Sequence, residues 1–540
     1  MQNILLLGDE AIAQGAIDAG LSAVYAYPGT PSTEITEYIQ KSKEAQSGEI
    51  VAQWTANEKT AVEAALGASY AGKRSMACMK HVGLNVAADA FMNSSITGVN
   101  GGIVVVVADD PSMHSSQNEQ DSRFYGKFAQ VPILEPVNQQ QAYDMMHYAF
   151  DYSERLNVPI LMRITTRMAH SRAGVKVKMQ KTSQNIFHLP KVANQFVLLP
   201  ALARVNYKKL LQNIPLMEKE SSTSGFNKFI DGEDKSMGII ASGIAYNYLR
   251  ENYENGKVPF PVLSISQYPE PIEMIRKLYS ETEKIMVLEE GYPIIEEQLK
   301  GILNLGKPVH GRLDGTLPRD GELNPNIIGK VLNFDIIVSY ENSASVMSRP
   351  PALCQGCPHT DSYSALNSAL ESVGKGHVLS DIGCYTLAAL KPLEAINSCV
   401  DMGASITMAK GAADAGLHPS VAVIGDSTFT HSGMTGLLDA VICNTPITVI
   451  ILDNGTTGMT GGQRSEATGK IEDICKGLGV SQEHIHVLNP INKYHEENVA
   501  TIKKELDYKG VSVIIPRREC IVTLNARLKA IKSMKELQQN

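Results

Sequence analysis

Two short apolar runs, Val421–Ile424 and Ile447–Leu452, each end in a polar tip, Gly425-Asp426-Ser427 and Asp453-Asn454-Gly455. A stretch with helical character, reaching about Cys443, separates them. Brief β-branched runs bounded by turn residues read as strands, and the segment between them reads as a helix. Strands joined through one helix run parallel, so both tips fall at the carboxyl ends of neighbours, where open α/β sheets bind ligands.

The same alternation recurs from the start of the chain. Asn3–Leu7 reads as a short buried strand, Glu10–Ala19 as a helix and Ala23–Tyr27 as the next strand. Pro28-Gly29-Thr30-Pro31-Ser32 reads as a rigid loop, with Ser32 or Thr33 capping a helix. Val51 leads into Asn57-Glu58-Lys59 and the small-residue helix Thr60–Ala71, Ser75–Met79 leads to the loop Lys80–Asn85, and Gly102–Ala108 leads to Asp109-Asp110-Pro111. This rhythm predicts a multidomain α/β protein with mainly parallel sheets flanked by helices.

At 540 residues the chain is too long for one core. Boundaries follow the pattern: an α/β domain over 1–175, a polar linker with insertions over 176–236, a smaller α/β unit over 237–310, a connection over 311–348, a second large α/β domain over 349–520 and a charged helix over 521–540. A net charge of −8, with no basic block longer than Pro516-Arg517-Arg518, argues against nucleic acid or anionic membrane as partner. The longest apolar run, Ile103–Ala108, is too short to span a bilayer. The opening stretch lacks a basic region ahead of apolar residues, so no signal peptide is expected. Eight cysteines in a chain of this size are no disulfide scaffold, which points to the reducing cytoplasm.

The chemistry of the two tips is specific. Between Ser427 and Asn454 lie 26 residues, enough for one helical crossover, so a carboxylate and a side-chain amide meet at one crevice. With a backbone carbonyl shortly after Asn454, Thr456 being the candidate, they form a hard oxygen site suited to Mg²⁺ carrying a diphosphate. The spacing resembles the Gly-Asp-Gly…Asn signature of thiamine diphosphate enzymes, with Ser427 in the third position. A strand ending in Gly-Asp is common in Rossmann-like folds; Asn454 and the loop Thr460-Gly461-Gly462-Gln463 together tip the reading toward the cofactor. Cys354-x-x-Cys357, followed by Pro358, stays open at this point between a zinc half-site, a redox pair and an accidental spacing.

Further stretches carry a wider resemblance: Tyr27–Ser32, Asn57-Glu58-Lys59, Met79–Asn85, Ala108–Asp121, Arg349–His359, Asp381–Leu387, Met402–Ile406 and the opening segment. In this order, across most of the chain, they resemble the large thiamine-binding subunits of indolepyruvate:ferredoxin oxidoreductases, in the 2-oxoacid:ferredoxin oxidoreductase superfamily. Relatives of this type usually end in a ferredoxin module with two C-x-x-C-x-x-C-x-x-x-C-P runs, and no such run stands here.

The resemblance implies a pyrimidine-binding-type domain over 1–175, a transketolase C-terminal-like unit over 237–310 and a diphosphate-binding domain over 349–520. It implies thiamine diphosphate with Mg²⁺ on Asp426, Asn454 and Thr456, and Gly425, Ser427, Gly461 and Gly462 around the cofactor. Glu58 would bond the aminopyrimidine; otherwise it simply begins a helix, where negative charge is favoured. Thr30 is expected near cofactor or substrate carboxylate, and His81 as a substrate-binding or proton-transfer group. His114 or Arg123 could meet a carboxylate or a coenzyme A phosphate. Cys354, Cys357, Cys384 and Cys520 would hold a single [4Fe–4S] cluster, while Cys78, Cys399, Cys443 and Cys475 pack as small apolar residues.

The implied reaction is oxidative decarboxylation of a 2-oxoacid, an arylpyruvate such as indolepyruvate, to acyl-CoA and CO₂. Electrons would pass to ferredoxin or another iron–sulfur acceptor. Implied partners are a smaller second subunit and another copy of the large chain. Met459 would give an apolar lining suited to an arylpyruvate or a branched oxoacid. A non-oxidative thiamine diphosphate decarboxylase or carboligase, and a non-catalytic subunit, are the alternatives.

Overall fold

The computed structural model describes residues 2–191, 195–301, 306–334, 345–347, 352–399, 401–414 and 416–539. Parts of the 311–348 connection and of the Arg349–His359 stretch lie outside these residues. The chain divides into two compact units, Met1–Tyr340 and Glu341–Asn540.

The first unit is built on a seven-stranded sheet in the order Gln267–Tyr268, Ile133–Leu134, Ile160–Thr165, Ile103–Asp109, Ser75–Lys80, Ala23–Ala26, Val51–Trp54. All pairs are parallel except the one made by Gln267–Tyr268. The central strand Ile103–Asp109 is buried at every residue, as expected of a parallel strand covered on both faces. A five-stranded sheet, in the order Val309–His310, Ile285–Leu288, Gly238–Ser242, Val262–Ile265, Lys228–Ile230, follows in the same unit.

Three local expectations are corrected. The first strand, Gln2–Leu7, is no buried core strand: it pairs antiparallel with Arg172–Val177 in a separate ribbon, and Leu5 is 65% exposed. Within 176–236 lies a 24-residue helix, Pro200–Thr223, which starts on Pro200 and crosses Pro215. Only three of its residues, Leu210, Met217 and Ser221, are buried, so it shows no broad apolar stripe from which a helix could be read. The expected loop Lys80–Asn85 does not form, because the helix His81–Thr97 begins directly after the strand.

The second unit holds a six-stranded parallel sheet: Ser398–Cys399, Val378–Ser380, Ser420–Gly425, Ile447–Leu452, Ser512–Pro516, Ile485–Leu488. Alternate residues serve opposite faces. Val421, Val423, Ile450 and Ile514 pack with Leu366 of the helix Pro358–Leu370 and Ile502 of the helix His495–Leu506. Ala422, Ile424, Val449 and Val513 pack with Ile406 of Ala404–Asp414 and Leu437 of Met434–Ile442. The central strands are therefore held by two cores, and their polar ends project beyond both.

Candidate functional site

In the second unit the strands Ser420–Gly425 and Ile447–Leu452 end side by side, with Gly425 opposite Leu452. Asp426 opens the next helical turn and is 2% exposed. Its Oδ1 accepts from the backbone N–H of Ser427 and its Oδ2 from that of Gly455, both at 2.8 Å. One carboxylate thus ties the two tips together. Asn454 donates through Nδ2 to Nε2 of His359 at 3.1 Å, and its Oδ1 accepts from the N–H of Thr456 at 3.0 Å. Burial pushes His359 down to about 4, so its ring is a neutral acceptor that fixes which way the Asn454 amide points.

The loop after Asn454 folds back as a hairpin, Thr456–Thr457 against Gln463–Arg464. The Thr456 hydroxyl donates to the Gln463 carbonyl at 2.9 Å, and that of Thr457 to the Ser427 hydroxyl at 3.1 Å. Gly461 and Gly462, at φ 116° and 86°, turn the hairpin in a region that side chains rarely adopt. Gly425 serves differently: a Cβ there would lie 2.6 Å from the ring of Tyr385.

Burial, and next the Asp453 carboxylate, push Asp426 up to about 7. A carboxylate raised by burial, with a side-chain amide just past the end of the neighbouring strand, is a donor pair that a hard divalent cation fits. Asp381, missed by the sequence reading, is also pushed up to about 7 by burial. It accepts from the Ser405 hydroxyl at 2.6 Å and from the hydroxyl of Tyr385.

The four nominated cysteines gather around the same strand ends. Cys357 caps the helix Pro358–Leu370, and its N–H donates to the Cys354 carbonyl at 3.0 Å. The Cys520 N–H donates to the Asn454 carbonyl at 3.2 Å, and a side chain on Gly458 would start 3.6 Å from the Cys384 sulfur. Burial, then the charges of Cys357, Cys520, Asp426 and Cys354, push Cys384 up to about 12. Burial and the charges of Cys354 and Cys520 likewise raise Cys357. Four sulfurs gathered at one strand end are a set that a thiolate-bound metal centre fits, an iron–sulfur cluster or zinc alike. Of the other four, Cys78 and Cys475 are buried as expected, but Cys399 and Cys443 are exposed and do not pack as core residues.

The first unit carries the other nominated residues. Glu58 is the first residue of the helix Glu58–Tyr70 and is 4% exposed. Its carboxyl group lies against Gly83, where a Cβ would sit 2.5 Å from Oε1. Burial lowers the pKa of Lys80, against the opposing charges of Asp110 and Glu58. Its Nζ donates to the Ser115 carbonyl at 2.9 Å, and the Ser115 hydroxyl donates to the Thr30 carbonyl at 3.1 Å. His81 is 1% exposed, with Nε2 3.1 Å from the Asn118 carbonyl. Glu58, Lys80, Thr30 and His81 therefore converge through the 110–121 loop.

Arg123 is unavailable to any ligand. Fully buried, it forms a two-pronged ion pair with Asp121 and reaches Glu289 at 2.9 Å and the Tyr292 carbonyl at 2.8 Å. His114 is half exposed and pairs with Glu322 at 3.2 Å.

Two family models match parts of the chain, one holding Thr30, Glu58 and His81 and the other Cys384, Asp426 and Asn454. Residues 14–208 match the family model described as pyruvate flavodoxin/ferredoxin oxidoreductase, thiamine diP-bdg, and residues 381–515 match thiamine pyrophosphate enzyme, C-terminal TPP binding domain. Indolepyruvate oxidoreductase subunit IorA of Archaeoglobus fulgidus is 39% identical over 96% of this chain and 87% of its own length. That of Methanothermobacter marburgensis is 38% identical over 97% and 88%. A solved 2-oxoglutarate:ferredoxin oxidoreductase from Magnetococcus marinus, with 2-oxoglutarate, coenzyme A and succinyl-CoA bound, aligns at a TM-score of 0.48 and 17% identity, over 61% of this chain and 65% of that one. Among the described residues no helix is long and apolar enough to cross a membrane. With relatives matching nearly its whole length, and with Asp426 and Asn454 inside the matched thiamine pyrophosphate region, the chain belongs to the indolepyruvate oxidoreductase subunit IorA family.

Proposed function

We propose that this chain is the thiamine diphosphate subunit of an enzyme that oxidatively decarboxylates a 2-oxoacid of the indolepyruvate type, forming acyl-CoA and CO₂. The observation that carries the reading is the union of near full-length similarity to indolepyruvate oxidoreductase subunits with the paired tips at Asp426 and Asn454. Bound thiamine diphosphate supplies a nucleophilic carbon for the keto group and an electron sink once CO₂ leaves.

The remaining work belongs to the chain's own residues. Asp426, Asn454 and the Thr456 carbonyl are assigned to Mg²⁺, and Gly425, Ser427, Gly461 and Gly462 to the surroundings of the diphosphate. His359 orients the Asn454 amide. Glu58 is assigned to the aminopyrimidine, Thr30 to the cofactor or substrate carboxylate, and His81, held at the 110–121 loop through Asn118, to substrate binding or proton transfer. Cys354, Cys357, Cys384 and Cys520 are assigned to one [4Fe–4S] cluster, which suits a reducing cytoplasm and lets electrons leave singly to ferredoxin or a similar acceptor. The large α/β regions 1–175 and 349–520 take the pyrimidine-binding and diphosphate-binding roles. Met459, 58% exposed beside the glycine loop, is assigned to the aryl group of the substrate. The relatives are named as subunits, and a smaller second chain and pairing of the large chain are part of the proposal.

Anaerobic assay of the purified complex with a series of 2-oxoacids, coenzyme A and a viologen dye tests the reading. Dye reduction with indolepyruvate, and loss of iron in Cys354→Ser, are expected. Release of CO₂ or aldehyde without dye reduction from a colourless, iron-free protein overturns the oxidative assignment in favour of a decarboxylase.

A further inference from the structure

Away from these residues, in the first unit, Asp9, Glu34 and His170 each direct one ligating atom to a common point, all within 4.8 Å of one another. The three come from separate elements. Asp9 lies in the first turn of the helix Gly8–Asp18, Glu34 in the first turn of Thr33–Gln40, and His170 ends the helix Thr166–His170. Gly8 permits the approach, since a Cβ there would lie 2.0 Å from the Met168 carbonyl oxygen.

The arrangement calls for a proton or a cation between the two carboxylates. Asp9 is 0% exposed, and neither of its carboxylate oxygens has a hydrogen-bond donor. Its strongest charged neighbour is another carboxylate, Glu34, whose Oε2 pairs with Nε2 of His170 at 3.6 Å, an interaction that lowers the Glu34 pKa and raises that of His170. A buried carboxylate facing only acceptors costs several kcal/mol, roughly, unless a cation or a shared proton sits between them. The site has an entry path, because the side chains of Glu34 and His170 are 38% and 36% exposed while Asp9 closes the bottom.

We propose that Asp9, Glu34 and His170 bind a divalent transition-metal ion, with two carboxylates and one imidazole as protein ligands and water completing the shell. The mixed oxygen and nitrogen donors suit Zn²⁺ or Mn²⁺ better than Mg²⁺ or Ca²⁺, which favour oxygen alone. The ion would join three helix ends, one of them the start of the helix that follows the Thr30 loop in sequence.

Co²⁺ is the probe, added to the complete complex loaded with iron, Mg²⁺ and thiamine diphosphate. The expected result is one tight equivalent with ligand-field absorption and no sulfur-to-cobalt charge transfer, which separates this site from the cysteines. Affinity is expected to fall about 10- to 100-fold or more in His170→Ala and Asp9→Asn. His170 is a partly exposed residue at a helix end, so its variant tests the site without emptying a core. A second measurement compares melting temperatures in chelator. There Asp9→Asn melts higher than the parent, and cobalt raises the parent but neither variant. Equal cobalt uptake by parent and His170→Ala overturns the proposal. So does a parent whose melting temperature cobalt leaves unchanged, which would leave a proton shared between Asp9 and Glu34 as the account of the cluster.

Discussion

At the scale of single residues, Asp426 governs how the cofactor site responds to pH. Burial raises its folded-state value to about 7, above that of an unfolded aspartate. Between the two values the folded chain binds more protons than the unfolded chain, so this group's contribution to stability is full at low pH and declines as pH rises toward 7. A bound cation reverses the trend, since metal and proton compete for the same oxygens. Affinity for Mg²⁺ and thiamine diphosphate should therefore strengthen from pH 5 to about 7 and level off above it, as titration calorimetry across that range would reveal; a flat profile rules Asp426 out as the controlling group. Asp426→Asn should weaken that affinity about 10- to 100-fold. Glu58 makes a different prediction through Gly83. Gly83→Ala puts a methyl 2.5 Å from Oε1, so it should cost about 1–3 kcal/mol of stability. It should also cut turnover as deeply as Glu58→Gln, about 10²- to 10⁴-fold, while diphosphate binding persists. Turnover close to the parent's in Gly83→Ala would mean that Glu58 is not acting where it lies.

At the scale of elements, the glycine hairpin after Asn454 is the part most dependent on its exact turn. Gly462 sits at φ 86°, where alanine is strained, and Gly462→Ala should cost about 1 kcal/mol or more and loosen the Thr456–Gln463 bond. The expected readout is a raised KM for the oxoacid, with iron content unchanged. The two strands before this hairpin were legible in the sequence because each carries a polar tip after a mostly apolar, β-branched run, and a buried parallel strand leaves that signature. His359 was not legible as a site residue. Its role arises from a 3.1 Å bond to an amide 95 positions away, which no local pattern announces. Arg123 was misread for the converse reason: an arginine in the polar run Gln120-Asp121-Ser122-Arg123 looks like an anion-binding group until Glu289 and Tyr292 are seen to complete its shell. The helix Pro200–Thr223 escaped notice because little of it is buried, so the periodicity that reveals a helix is faint.

At the scale of the whole molecule, each compact unit has its own source of stability. In Glu341–Asn540 the two cores clasp the sheet, and bound cofactor should add to them. Mg²⁺ with thiamine diphosphate at a hundred times the dissociation constant should contribute about 2.7 kcal/mol. Scanning calorimetry should show this as a rise in one transition that is absent in Asp426→Ala. In Met1–Tyr340 the seven-stranded sheet takes its last strand, Gln267–Tyr268, from beyond the long helix. Beneath that junction Arg123 and Arg163 share Asp109, Asp121, Glu135 and Glu289, all buried. Removing one partner of such a network is expensive, so Glu289→Ala should destabilise this unit by about 3–5 kcal/mol in denaturant titrations. Cofactor affinity should stay as it was. This junction also sets a timetable for synthesis. Arg163 is made with the strand Ile160–Thr165, yet the Glu289 and Tyr292 contacts that satisfy its neighbour Arg123 emerge from the ribosome roughly 6–25 s later. For that interval the nascent sheet holds an arginine without its full set of partners and an uncovered edge at Ile133–Leu134. Chaperone demand in the cell should peak in that window and vanish once residue 292 is out.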